Sequence, residues 1–263
     1  MKKILAALLT PVLFLLSAVP VSAAPIPAIA QPAPLPGLQP TAIVHTVTFV
    51  NQSGQTLWVG SAVNADNSVN FTGLPRLNNG QSATVTIPEG AWPNHWRGKF
   101  FGRQGCTGNS GSTFKCAVGD CGPYADRCSL GEQPTSLAEF NFDQNDGLAP
   151  WYNVSYVNAF SVPITIRANN AQAPPGSREC ETMGCPENLL PFCPQANKRV
   201  GTNGTTPYCL NLNRDARTPY SDALSSRCPK AYAWSRQDAE QGNQTVRQCR
   251  NCTGFTVTFH SVA

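Results

Sequence analysis

Eleven cysteines in 263 residues constrain this chain more than any other feature. That density belongs to an oxidising compartment, where thiols are joined into disulfides, and an odd number leaves one cysteine over. The start of the sequence agrees about the compartment. Lys2-Lys3 precede an apolar stretch from Ile4 to Leu16, and Val21-Ser22-Ala23 follows. This is the order of a secretory leader, with cleavage expected after Ala23. Pro11, Ser17 and Pro20 interrupt the apolar run, which falls short of the ~20 residues a membrane span needs. A signal peptide is therefore expected over 1–23 and a secreted, extracellular protein beyond it. Alternating prolines from Ala24 to Pro40 remove backbone donors and disfavour helix, so 24–42 reads as a Pro-rich linker.

Composition excludes several classes. Pro at 23 and Gly at 21 argue against long helices and coiled coils. Losing Lys2 and Lys3 with the leader lowers the formal net charge from +4 to +2, and no Lys/Arg run exceeds two residues, so a nucleic-acid partner has no basic stripe to bind. Cys249-Arg250-Asn251-Cys252 is a C-x-x-C, but neither Cys116-x4-Cys121 nor Cys180-x4-Cys185 supplies the second pair of a zinc ribbon. His45, His95 and His260 have no ligand-spaced partners. No metal and no cofactor are expected.

From Ile43 onward the pattern is short runs of period two: Val47 and Phe49, Ala83 to Ile87, Leu137 to Phe142, Val154 to Val157, Val162 to Ile166, and Phe255 to Phe259. Turn signals such as Asn79-Gly80 separate them, which predicts an all-β, antiparallel sandwich. Between about Pro186 and Arg227 the alternation fails, and Cys185, Cys193, Cys209 and Cys228 frame the gap. Thr218-Pro219 ahead of Tyr220 to Leu224 predicts one short helix in this lobe, with Thr218 as N-cap and Pro219 in the first position. Trp92-Pro93-Asn94-His95-Trp96 with Trp58 has the composition of a sugar-stacking platform, although core packing is the stronger expectation. Asn51, Asn70, Asn153, Asn203, Asn243 and Asn251 each begin an N-x-S/T sequon.

An ordered set of motifs then carries a resemblance. Phe101-Gly102-Arg103-Gln104-Gly105-Cys106, Cys116-Ala117-Val118-Gly119-Asp120-Cys121 with Cys128, Pro134-Thr135-Ser136-Leu137-Ala138-Glu139-Phe140, the stretch from Trp151 to Pro163, Thr218-Pro219-Tyr220-Ser221, and Cys228-Pro229-Lys230-Ala231-Tyr232 follow one another. In that order they resemble the thaumatin-like family over roughly Val44 to Phe259. Ser112 and Val118 stand where the family usually has Gly and Thr. The resemblance implies a flattened antiparallel β-sandwich over 43–263. Its core would be 43–103, 135–185 and 228–263, with a small loop lobe at 104–134 and a disulfide-rich lobe at 186–227. It implies the disulfides Cys106–Cys116, Cys121–Cys128, Cys180–Cys249 and Cys185–Cys228, with Cys193–Cys209 as the remaining pair. Cys252 is left unpaired and in competition with Cys249 for Cys180. The disulfide that usually ties the family's first strand to its last is missing, because Ser53 and His260 occupy its two positions.

The resemblance also implies a function: a secreted, monomeric defence-type or antifungal protein whose acidic cleft binds β-1,3-glucan or another cell-wall polysaccharide. Carried over residue by residue, that cleft would contain Glu139, Asn153 and Asn158 at two Asp positions, Asp238, and Arg76, which is one residue out of register. Glycoside hydrolysis generally needs two carboxyl groups, and an Asn amide does not titrate usefully. Impaired or absent hydrolysis is therefore expected, with Glu139 and Asp238 as the remaining catalytic candidates. The alternatives are a weak endo-β-1,3-glucanase and an inhibitor of secreted hydrolases.

Overall fold

The computed structural model describes residues 44–262; the expected leader over 1–23 and linker over 24–42 lie outside them. The strands are β1 (Thr46–Gln52), β2 (Leu57–Val63), β3 (Arg76–Leu77), β4 (Ser82–Thr86), β5 (Arg97–Gln104), β6 (Leu137–Asn141), β7 (Trp151–Ser155), β8 (Ala159–Phe160) and β9 (Ile164–Asn169). They continue with β10 (Met183–Gly184), β11 (Lys198–Val200), β12 (Pro207–Leu210), β13 (Ala231–Tyr232), β14 (Arg247–Gln248) and β15 (Gly254–His260). One sheet runs β10-β9-β15-β1-β4 and the other β13-β7-β6-β5-β2-β3, with β14 beside β7. Aromatic side chains join the two: Phe49 of β1 meets Phe100 of β5 at 5.0 Å, and Phe255 of β15 meets Tyr152 of β7 at 4.7 Å.

Alternation finds the half-buried strands and misses the others. Along β1 every second residue is buried, whereas β2 and the second half of β5 are buried on both faces. A strand covered on both sides has no alternation to read. Two pairings depart from the antiparallel pattern: β1 with β15 and β13 with β7 are parallel. At the entry to β15, Gly254 has φ +150, and a Cβ there would run into the Thr46 carbonyl oxygen.

The five disulfides are Cys106–Cys116, Cys121–Cys128, Cys180–Cys249, Cys185–Cys228 and Cys193–Cys209. The loop lobe hangs on Arg103, which is fully buried and donates to the carbonyls of Tyr124 at 2.8 Å and Gly122 at 3.3 Å. In the larger lobe, β11 and β12 pair with β8, and one helix, α1 (Pro219–Ser225), starts at Thr218 with a capping box and Pro in its first turn. Where the terminal staple would lie, Ser53 bonds to Asn51 Oδ1 at 2.7 Å and His260 to Thr165 Oγ1 at 2.8 Å. The two ends of the missing bridge are thus each satisfied locally.

Cys252 is free but buried, so it offers no surface thiol for covalent dimers. Beside it, His45 holds the buried Glu89 carboxylate, with Nδ1 at 3.0 Å from both oxygens. Burial works against the imidazolium, but hydrogen bonds with Cys252 and Glu89 and the charge of Glu89 outweigh it, raising the pKa of His45 to about 9.

Candidate functional site

Register builds the first row of the site. Across β5, β6 and β7, Lys99 stands opposite Glu139 and Glu139 opposite Asn153. Neighbours Phe100, Phe140 and Tyr152 turn into the core, so the polar row takes the other face of the sheet. Glu132, from the segment before β6, accepts from Lys99 Nζ through one oxygen and from Asn158 Nδ2 through the other. Lys99 Nζ is also 3.7 Å from Glu139, and Arg214 is 3.6 Å from Glu132. Trp151, Ser155, Tyr232 and Ser235 complete a cavity of about 290 Å³.

The two glutamates are driven apart. Burial raises the pKa of the Glu139 carboxyl and nearby Glu132 adds to this, while Lys99, the Asn153 amide and Arg214 oppose it only in part. Burial pushes Glu132 up as well, but hydrogen bonds from Lys99 and Asn158 and the charges of Lys99 and Arg214 outweigh it, so Glu132 titrates below the usual carboxylate range. One carboxyl is thus biased toward its acid form and the other toward its anion. Asn153 and Asn158 are 4% and 7% exposed, and the Oδ1 atom of each has no partner among the described residues. Among the same residues, no group of three or more His, Cys, Asp and Glu is placed to hold a metal, and no helix is long and apolar enough to cross a membrane.

The Thaumatin family model matches residues 51–261. This chain belongs to the thaumatin family. It is 30% identical over 231 residues to pathogenesis-related thaumatin-like protein 3.5 of Cryptomeria japonica, covering 81% of this chain and 88% of that protein. A glucan endo-1,3-beta-glucosidase of Prunus avium is 26% identical, with 81% and 89% covered. The solved thaumatin-like xylanase inhibitor has 16% identity and a TM-score of 0.41, covering 81% of this chain and 97% of its own.

Against the thaumatin-family cleft positions, the structure brings Glu139, Asn153 and Asn158 together and separates the other two. Asp238 lines an adjoining cavity of about 540 Å³ with Arg178, Glu179 and Arg247, and this cavity meets the first at the shared Trp151 and Tyr232. Arg76 is a correction. It pairs through Trp58 to Arg103, on β3 at the far edge of the sheet, with its guanidinium 5.1 Å from the Trp58 ring centre. From Glu139 that is three strand spacings across, about 14 Å, and four residues along, about 13 Å. The cation beside Glu139 is Lys99 instead. No tryptophan platform forms: Trp96 is fully buried, Trp92 is exposed, and Trp58 stacks edge-on against Phe114. Sequence reasoning missed Lys99, Glu132 and Arg214. A carboxylate seven residues before Glu139 was the available signal for Glu132, but no family motif includes it.

Proposed function

We propose that this thaumatin-family protein is a secreted, monomeric defence-type protein that binds β-1,3-glucan or a related cell-wall polysaccharide in the Lys99–Glu139 cavity. The observation that carries this reading is the lining itself. Fixed hydrogen-bonding groups from Lys99, Glu132, Glu139, Ser155, Arg214 and Ser235 face one space beside Trp151 and Tyr232. Sugar recognition needs that mixture, because hydroxyls require paired donors and acceptors while the ring faces stack on aromatic surface. Binding rather than turnover is the main activity in this reading: Asn153 and Asn158 provide no titrating carboxyl at the two positions where the family has Asp, and Glu132, the second carboxyl of the cavity, is held by Lys99, Asn158 and Arg214. The test is co-sedimentation with insoluble β-1,3-glucan. Wild type should deplete from the supernatant, and Glu139→Gln combined with Lys99→Met should stay in it. A wild type that remains soluble at every glucan loading refutes the reading.

A further inference from the structure

The adjoining cavity, the one that Asp238 lines, is built from different material. Strands β13 and β14 lie end to end along the edge of β7 that β6 leaves free. This gathers Trp151, Tyr232 and Val246 around one space, and the segment before β7 adds Leu148, which is 59% exposed. Both aromatic residues have their polar atoms engaged. Trp151 Nε1 donates to Asp146 Oδ2 at 3.1 Å, and the Tyr232 hydroxyl bonds with Thr245 and Asp238. What the two rings offer this space is apolar surface.

The charged groups at its rim are engaged with one another. Arg178 grips both oxygens of Glu181 at 3.0 Å, and Arg247 donates to one of them at 3.1 Å. Gln248 and Arg250 hold Glu179 at 2.8 and 3.2 Å. Arg178 and Arg247 balance Glu179 and Asp238 in the lining, so the space has no surplus charge of either sign. A bare sugar ring entering it gives up hydration for few free partners, which costs free energy. A neutral aromatic ring has little hydration to lose and gains the surfaces of Leu148, Trp151, Tyr232 and Val246. At about 540 Å³ against about 290 Å³, the space is also larger than the one beside it.

We propose that this second cavity takes a neutral aromatic substituent carried by the glycan, as an ester or a glycoside, while the sugar itself occupies the Lys99–Glu139 cavity; this rests on the binding reading above. Trp151 and Tyr232 line both spaces, so a short link joins a sugar in one to a ring in the other. Once the sugar is seated, entry of the ring is intramolecular, and the two contacts reinforce each other. A negatively charged ring is disfavoured, because Glu181 already takes up Arg178 and Arg247 while Asp238 remains exposed. The preferred ligand is then an arylated wall glycan, selected by what the sugar carries as well as by the sugar.

The experiment is a calorimetric titration with laminaritetraose and with the same sugar arylated in either of two ways. One probe carries a 4-methylumbelliferyl glycoside at the reducing end, the other a benzoyl ester on the 6-hydroxyl of the terminal residue. At least one arylated sugar should bind ~10–100-fold more tightly than the plain one, the worth of burying a single ring. Val246→Asp and Leu148→Asp, which lie outside the first cavity, should abolish that gain and leave the plain sugar's affinity unchanged. Equal affinity for plain and arylated sugars, or a gain that survives both variants, overturns the aromatic cavity and leaves the binding reading standing. An arylated sugar that binds where the plain one does not supports the cavity and removes plain glucan as the ligand. Binding of none of the sugars overturns both. Sedimentation velocity addresses the other occupant: the wild type should run as a monomer, and a dimer that Val246→Asp dissolves assigns the cavity to a second copy and overturns the proposal.

Discussion

Two groups of opposite charges are built in contrasting ways. His45 and Glu89 lie in the core as a one-to-one pair, 7% and 4% exposed, with both carboxylate oxygens at 3.0 Å from the same ring nitrogen. In the cavity, Lys99 is shared by two carboxylates, and Arg214 reaches only Glu132. A dry core tolerates a charge only when it is closely matched. A water-facing cavity tolerates a mismatch, and Glu139 bears it. The difference separates a pair matched inside the core from a carboxyl that is only partly matched and opens to a cavity.

The contrast breaks hardest at the buried end. Glu89→Ala should cost about 3–5 kcal/mol of stability, the usual penalty for removing one partner of a buried pair; a denaturant midpoint that barely moves would show that the pair does not hold the core. A smaller effect should follow pH. The pKa of His45 is raised from 6.5 to about 9, with Glu89 and Cys252 as the ionisable groups facing it. Its contribution is fully present below pH 6.5 and is lost as pH rises through about 9, a change of about 3 kcal/mol. Unfolding curves of wild type and His45→Gln should therefore converge between pH 6 and pH 10, and parallel curves would contradict the pairing. The smallest effect belongs to the open end. Lys99→Met should change stability by less than about 1 kcal/mol, as for other partly exposed ion pairs. NMR titration of the same variant should show the Glu132 carboxyl rising toward the ordinary range.

Legibility in the sequence followed the range of the interactions. Turn chemistry and the Thr218-Pro219 start of α1 are local, and they were readable. Glu139 was readable because it sits inside a motif, and Asn153 because the next strand carries another. Lys99, Glu132 and Arg214 come from three separated segments, and apart from the closeness of Glu132 to the Glu139 motif nothing in the chain records that they meet. Arg76 failed for the same reason in reverse: its local motif looked right by one residue, but position in the cavity depends on which strand of the sheet carries it. His45 showed no partner and Cys252 was simply left over, because the parallel pairing of β1 with β15 is what brings them together.

That parallel pairing also imposes an order of events on a chain made from its N-terminus. Within its sheet β1 lies between β4 and β15, so one neighbour begins at Ser82 and the other only at Gly254. Until the later strand arrives, one edge of β1 offers unpaired backbone groups to any other extended segment. Contacts of such wide sequence separation form slowly, which lengthens the exposure. With Ser53 and His260 in place of a covalent tie, nothing but the pairing itself closes that edge. The vulnerable species is therefore a chain made as far as Cys252 but not through β15, whose five disulfides can already be closed while the centre of one sheet still waits for that strand.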